Sequence, residues 1–75
     1  MTITEMLKEI KSGINTTARL TTGLDGYTRQ RAMTQINELR SIGYISTTMA
    51  TARDGTEAVV YVLTDKGELW LTDNP

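Results

Sequence analysis

Cysteine and histidine are both absent from these 75 residues. Their absence excludes disulfides, thiolate chemistry, imidazole bases and the usual zinc sites together. Proline occurs once, as Pro75, so no Pro-rich linker divides the chain. No apolar run approaches the ~20 residues that span a bilayer, and no signal-peptide pattern opens the sequence. The expectation is a soluble, cytoplasmic protein. A strong charge of one sign is also missing: eight Lys and Arg stand against nine Asp and Glu, for a net charge of −1. That balance lacks the basic excess of an obvious nucleic-acid binder. The length allows a single domain, residues 1–75, with one modest core.

Threonine is abundant, with fourteen copies spread through the chain. Thr is a mediocre helix former but a good cap and strand residue. Short capped helices and a Thr-faced hairpin are the natural outcome.

The order of elements follows from periodicity and punctuation. Thr2 and Glu5 have the spacing of a capping box. Ile3, Met6, Leu7, Ile10 and Ile14 then recur at helical steps, and Gly13 supplies a left-handed stop. The first helix is expected over about residues 3–12. Asn15-Thr16-Thr17 precedes a short apolar pattern of Ala18, Leu20 and Leu24, which predicts a second helix over about 17–23. Asp25-Gly26 reads as a turn. Thr28 reads as the cap of a third helix, about 28–42, with Tyr27 packing back as a staple. Its apolar stripe is Ala32, Met33, Ile36 and Leu39, and Gly43 ends it.

After Gly43 the period changes to that of strands. Residues 44–63 predict a hairpin around Arg53-Asp54-Gly55-Thr56, with Ala58 to Leu63 as its strongest strand. Both faces mix Thr with apolar side chains, so the register is open. Thr64 then caps a short helix over about 65–71, ending in Leu69-Trp70-Leu71. The fold class is α+β: three helices, a hairpin and a short C-terminal helix.

That order, and the residues that carry it, resemble a winged helix-turn-helix domain. Residues 28–45, TRQRAMTQINELRSIGYI, resemble the recognition helix of MarR-like and PadR-like transcriptional regulators. The matching end positions are Leu39, Gly43, Tyr44 and Ile45. Residues 61–71, YVLTDKGELWL, resemble the same families' segment after the wing, a Leu-Thr-x-x-Gly-x-x-x-Leu signature met by Leu63, Thr64, Gly67 and Leu71. The resemblance spans about residues 3–71, and its motifs are mostly core and cap positions. It implies a small sequence-specific DNA-binding regulator with the 28–42 helix in the major groove of double-stranded DNA. The long extra helices through which such regulators commonly dimerise have no counterpart in these residues.

The third helix has side chains suited to that task. At about 100° per residue, the face opposite its apolar stripe carries Gln30, Arg31, Thr34, Asn37, Glu38 and Ser41. Arg29 lies nearer the buried edge, within reach of a phosphate. Arg is bidentate to guanine, and Gln or Asn to adenine. Glu38 counts against the reading, and a plain solvated helix face is the bland alternative. Thr28 is either a cap or a phosphate contact.

Charge is distributed unevenly. Residues 1–14 are neutral, residues 15–45 carry +2 through Arg19, Arg29, Arg31 and Arg40, and residues 46–75 carry −3. The DNA-facing candidates are therefore Thr28, Arg29, Gln30, Arg31, Thr34, Asn37 and, at the wing tip, Arg53. Arg53 either enters a minor groove or pairs locally with Asp54 and Glu57.

A second function class stays open: a winged-helix module that docks on another regulator or on the transcription machinery without binding DNA. Near-zero net charge and the apolar Leu69-Trp70-Leu71 end support it. Trp70 is either the core's largest side chain or, if exposed, an interface anchor or homodimer seam. No enzyme is expected. Glu5, Glu9, Asp54, Glu57, Asp65 and Glu68 form no recognisable metal set, and the glycines match no phosphate loop. No cofactor and no metal are implied.

Overall fold

A computed structural model describes residues 2–75. Helix α1 (Ile3–Ser12) begins at Thr2, whose Oγ1 accepts from the Glu5 backbone N–H at 3.1 Å. The Glu5 carboxylate accepts a hydrogen bond from the Thr2 hydroxyl at 3.2 Å rather than from the Thr2 backbone N–H, so only half of the expected capping box forms. Gly13 closes the helix at φ 106°, with its N–H on Ile10 O and the Ile14 N–H on Glu9 O. The apolar side of α1 buries Met6, Leu7 and Ile10.

Helix α2 (Thr17–Leu20) is a single turn capped by Thr16, shorter than the expected 17–23. The Thr21 and Thr22 hydroxyls bond back to the carbonyls of Thr17 and Ala18 at 2.7 and 2.8 Å. The Thr22 hydroxyl gives Ala18 O the partner that a further backbone turn would have supplied, whereas Thr17 O also accepts the Thr21 N–H at 3.1 Å. Gly23 then takes φ 77° and turns the chain away.

Helix α3 (Gly26–Ser41) starts two residues before the expected 28 and ends one before 42. Asp25, not Thr28, is its cap: Asp25 Oδ1 accepts from the Thr28 N–H at 2.7 Å. A carboxylate at a helix N-terminus gains from the helix dipole as well as from the hydrogen bond, which a hydroxyl cannot match. Asp25-Gly26 is therefore a helix start rather than a turn. Tyr27 falls inside the first turn and is 71% exposed, so it is not a staple. Ala32, Ile36 and Leu39 are buried and Met33 is half-buried. At the far end, Gly43 at φ 88° donates to Arg40 O and Tyr44 donates to Leu39 O, a Schellman closure.

Strands β1 (Ile45–Thr51) and β2 (Glu57–Leu63) form an antiparallel two-stranded sheet. The register runs from Ile45 opposite Leu63 to Thr51 opposite Glu57. The tip is a three-residue loop, Arg53-Asp54-Gly55. Ala52 O accepts from Gly55 N at 3.0 Å, Ala52 N donates to Thr56 O at 2.8 Å, and Gly55 sits at φ 87°. This is the type I turn plus left-handed residue that a three-residue hairpin loop uses. One further bond extends the sheet, from Tyr61 N–H to Asn15 O at 2.8 Å.

Helix α4 (Asp65–Asp73) is capped by Thr64 and runs two residues beyond the expected 71. The core gathers Met6, Leu7, Ile10, Leu20, Ile36, Leu39, Ile45 and Tyr61, with Tyr44, Leu63, Trp70 and Leu71 packed against it. The architecture is α+β, with four helices and one hairpin among the described residues.

Candidate nucleic-acid interface

Burial of Ala32, Ile36 and Leu39 determines which way α3 faces. Thr28, Arg29, Gln30, Arg31, Thr34 and Asn37 are all exposed, as is Glu38. Arg29, expected near the buried edge, is exposed as well. Thr28, Gln30, Arg31 and Thr34 line one open groove of about 1090 Å³, together with Glu5, Leu24, Tyr27, Ala32, Gln35 and Glu38. Arg29, Asn37 and Arg53 lie outside that lining.

Tyr27 is the residue that sequence reasoning misplaced. Its hydroxyl accepts from Arg31 Nη1 at 3.4 Å, and the Arg31 guanidinium carbon stands 5.8 Å from its ring centroid. The pair is four residues apart on α3, so the two side chains are neighbours on one face, and the cation lies within range of the aromatic ring. Reading Asp25 as the cap puts Tyr27 one turn before Arg31. Asp25 was the available signal.

The polar atoms of this face are partly committed. The Thr34 hydroxyl donates to Gln30 O at 3.0 Å, which leaves its oxygen to accept. The Thr28 backbone N–H, and then the Thr28 hydroxyl, holds the Asp25 carboxyl below its ordinary value of 3.8. Asp25 is therefore ionised at neutral pH. Glu5 and Glu38 add two carboxylates beside Arg31 in the groove. The arrangement offers guanidinium donors and amide donor–acceptor pairs, bordered by acid.

Arg53 occupies the hairpin turn and is exposed. Its neighbour Asp54 is engaged elsewhere: Asp54 Oδ1 accepts from the Thr56 hydroxyl and from the Thr56 N–H, the latter at 3.0 Å. The Thr56 hydroxyl, and then the Thr56 N–H, lowers the Asp54 pKa below 3.8. The ion pair found among the described residues is Lys11–Glu68, at 2.8 Å, so the local pairing of Arg53 with Asp54 or Glu57 does not occur.

Trp70 lies half-buried against the core, its ring centroid 5.5 Å from that of Tyr44. Its indole Nε1 is buried without a hydrogen-bond partner among the described residues. Leu69 is the side chain of that apolar triplet that faces outward, at 60% exposure. Among the described residues no group of three or more metal-ligating side chains occurs, and no helix is long and apolar enough to cross a membrane. Compared with protein-family models, with curated proteins and with solved structures, the chain finds no match.

Proposed function

We propose that this chain is a small winged helix-turn-helix transcriptional regulator that seats α3 in the major groove of double-stranded DNA. The observation that carries the reading is the outward face of α3, where Gln30, Arg31, Thr34 and Asn37 are exposed together. These are the side-chain types that read base edges in the major groove. In a helix-turn-helix the early residues of the second helix meet the bases. Arg31 and Gln30 are then the base readers of the first turns, with Asn37 further along. Thr28 and Arg29 hold phosphates, and Arg53 at the hairpin tip reaches the adjacent minor groove.

Few cations serve the backbone, so binding is salt-sensitive. With about four phosphate contacts the logarithm of affinity falls with the logarithm of salt at a slope of about −4. Arg31→Ala tests the assignment of base reading. Loss of a bidentate contact costs about 1–3 kcal/mol at particular base pairs. Uniform weakening on every duplex makes Arg31 a phosphate contact instead.

The second reading is a winged-helix module that docks on another protein. Glu5 and Glu38, which border the same groove and repel phosphate, support it, as does the exposed Leu69 on α4. A chain that binds no duplex at low salt, yet retains its fold, selects that reading.

A further inference from the structure

The two edges of the hairpin differ: the outward side of β2 bonds to another element once, and that of β1 not at all among the described residues. Thr64 N–H bonds to Tyr44 O at 3.1 Å and Ala52 N–H to Thr56 O at 2.8 Å, which bracket the ladder at both ends. Antiparallel pairing alternates, so the even-numbered residues of β1 bond to β2. Ile45, Thr47, Met49 and Thr51 turn their N–H and C=O groups outward. Ile45 is buried. The other three are exposed, and none of their backbone groups reaches another element among the described residues. On β2 the outward side is different: Tyr61 N–H is taken by Asn15 O, and Glu57 adds a charge.

Natural sheets protect an edge with charge, proline, a bulge or a covering element. β1 has none of these; its sequence is ISTTMAT and its register is unbroken. The strand is also close to palindromic about Met49. An antiparallel copy centred there places Thr47 against Thr51, Thr48 against Ala50, and Met49 against Met49. A two-fold interface requires this kind of self-complementarity. No charge on β1 opposes its own image, and Thr–Thr and apolar cross-strand pairs are favourable. Met49 and Val59 are directly opposed in the hairpin and each is 56% exposed. Pairing two copies would line up Val59, Met49, Met49 and Val59 in one apolar row across four strands.

We propose that β1 pairs edge to edge with β1 of a second copy of this chain, antiparallel and centred on Met49. The result is a two-fold dimer with a continuous four-stranded sheet. The two-fold contact uses the β1 edge of both copies, so this contact closes at two.

Sedimentation of the chain without DNA, from micromolar to millimolar concentration, tests this apart from any nucleic-acid reading. The mass rises from 8.3 kDa toward twice that value. Amide exchange at Thr47, Met49 and Thr51 slows as the dimer forms. The amides of Thr48 and Ala50, already bonded within the hairpin, do not follow. Met49→Lys and Thr51→Lys, both at exposed positions, each keep the folded chain monomeric over the same range. A wild-type chain that stays monomeric at millimolar concentration overturns the proposal. So does a dimer that leaves those three amides unprotected, or Lys variants that associate as the wild type does.

Discussion

The α-carbon of Gly67, in the first turn of α4, packs so closely on the carbonyl oxygen of Tyr44 that a Cβ at position 67 would overlap it. The same carbonyl accepts the Thr64 N–H at 3.1 Å, and the Thr64 hydroxyl donates to the Gly43 carbonyl. Lys66 Nζ reaches the Ile42 carbonyl at 2.8 Å and lies 5.2 Å from the Tyr44 ring centroid. The C-terminal end of α3 and the start of α4 are therefore one interlocked junction. It holds α3, and with it the outward face carrying Gln30 and Arg31, against the core.

Gly67→Ala checks the junction. At an open helical position, Ala is favoured over Gly by about 1 kcal/mol. Here the backbone of Tyr44 leaves no room, and overpacking of this kind costs about 1–3 kcal/mol. Urea denaturation should show a net loss of stability. A gain means that the two backbones separate without cost.

Gly43→Ala separates conformational strain from crowding. No atom lies within 4 Å of the position a Cβ would take, but φ is +88°. A non-glycine residue in the left-handed region costs about 1–2 kcal/mol. Gly43→Asn should recover part of that loss, because Asn tolerates this region better than Ala. Equal stability of the Ala and Asn variants would contradict the account.

Thr64→Ala removes the cap of α4 and the donor to Gly43 at once. Loss of an N-cap costs about 1 kcal/mol, and thermal unfolding should show at least that much. Thr64→Ser keeps both hydrogen bonds and should restore most of the difference.

Acid sensitivity follows from Asp25 and Asp54, whose pKa values lie below the ordinary 3.8. A carboxyl lowered in the folded state stabilises the fold above its unfolded pKa. It loses that contribution as pH falls through the lowered value. Asp25→Asn preserves a capping oxygen but removes the charge. Its unfolding midpoint should differ most from the wild type at neutral pH and converge below 3.8. A difference independent of pH would mean that the Asp25 charge plays no part.

The sequence made legible those elements whose signals are local. Thr2 with the Met6, Leu7, Ile10 stripe marks α1, and Gly43 after Leu39 marks the end of α3. The start of α3 was obscured because Asp25 and Thr28 both have cap spacing, and Asp-Gly is also a turn signal. Settling it needed the charge–dipole preference for Asp25, and the exposed Tyr27 beside Arg31 went unread with it. Hairpin register was hidden for a different reason. Thr and apolar residues alternate on both faces, and the contacts of Ile45 and Tyr61 with the helices decide which face is buried. The outward set on α3 needed only helical phase, which Ala32, Ile36 and Leu39 supply. The side chain of Trp70 lies half-buried on Tyr44, a tertiary contact that no local pattern encodes.

The most direct test of the central claim is a nitrogen–proton NMR titration with a mixed-sequence DNA duplex, at low salt and near physiological salt. A DNA-facing α3 gives shifts concentrated from Tyr27 to Ser41 and at Arg53, fading as salt rises. An unchanged spectrum at low salt would contradict a DNA-facing α3.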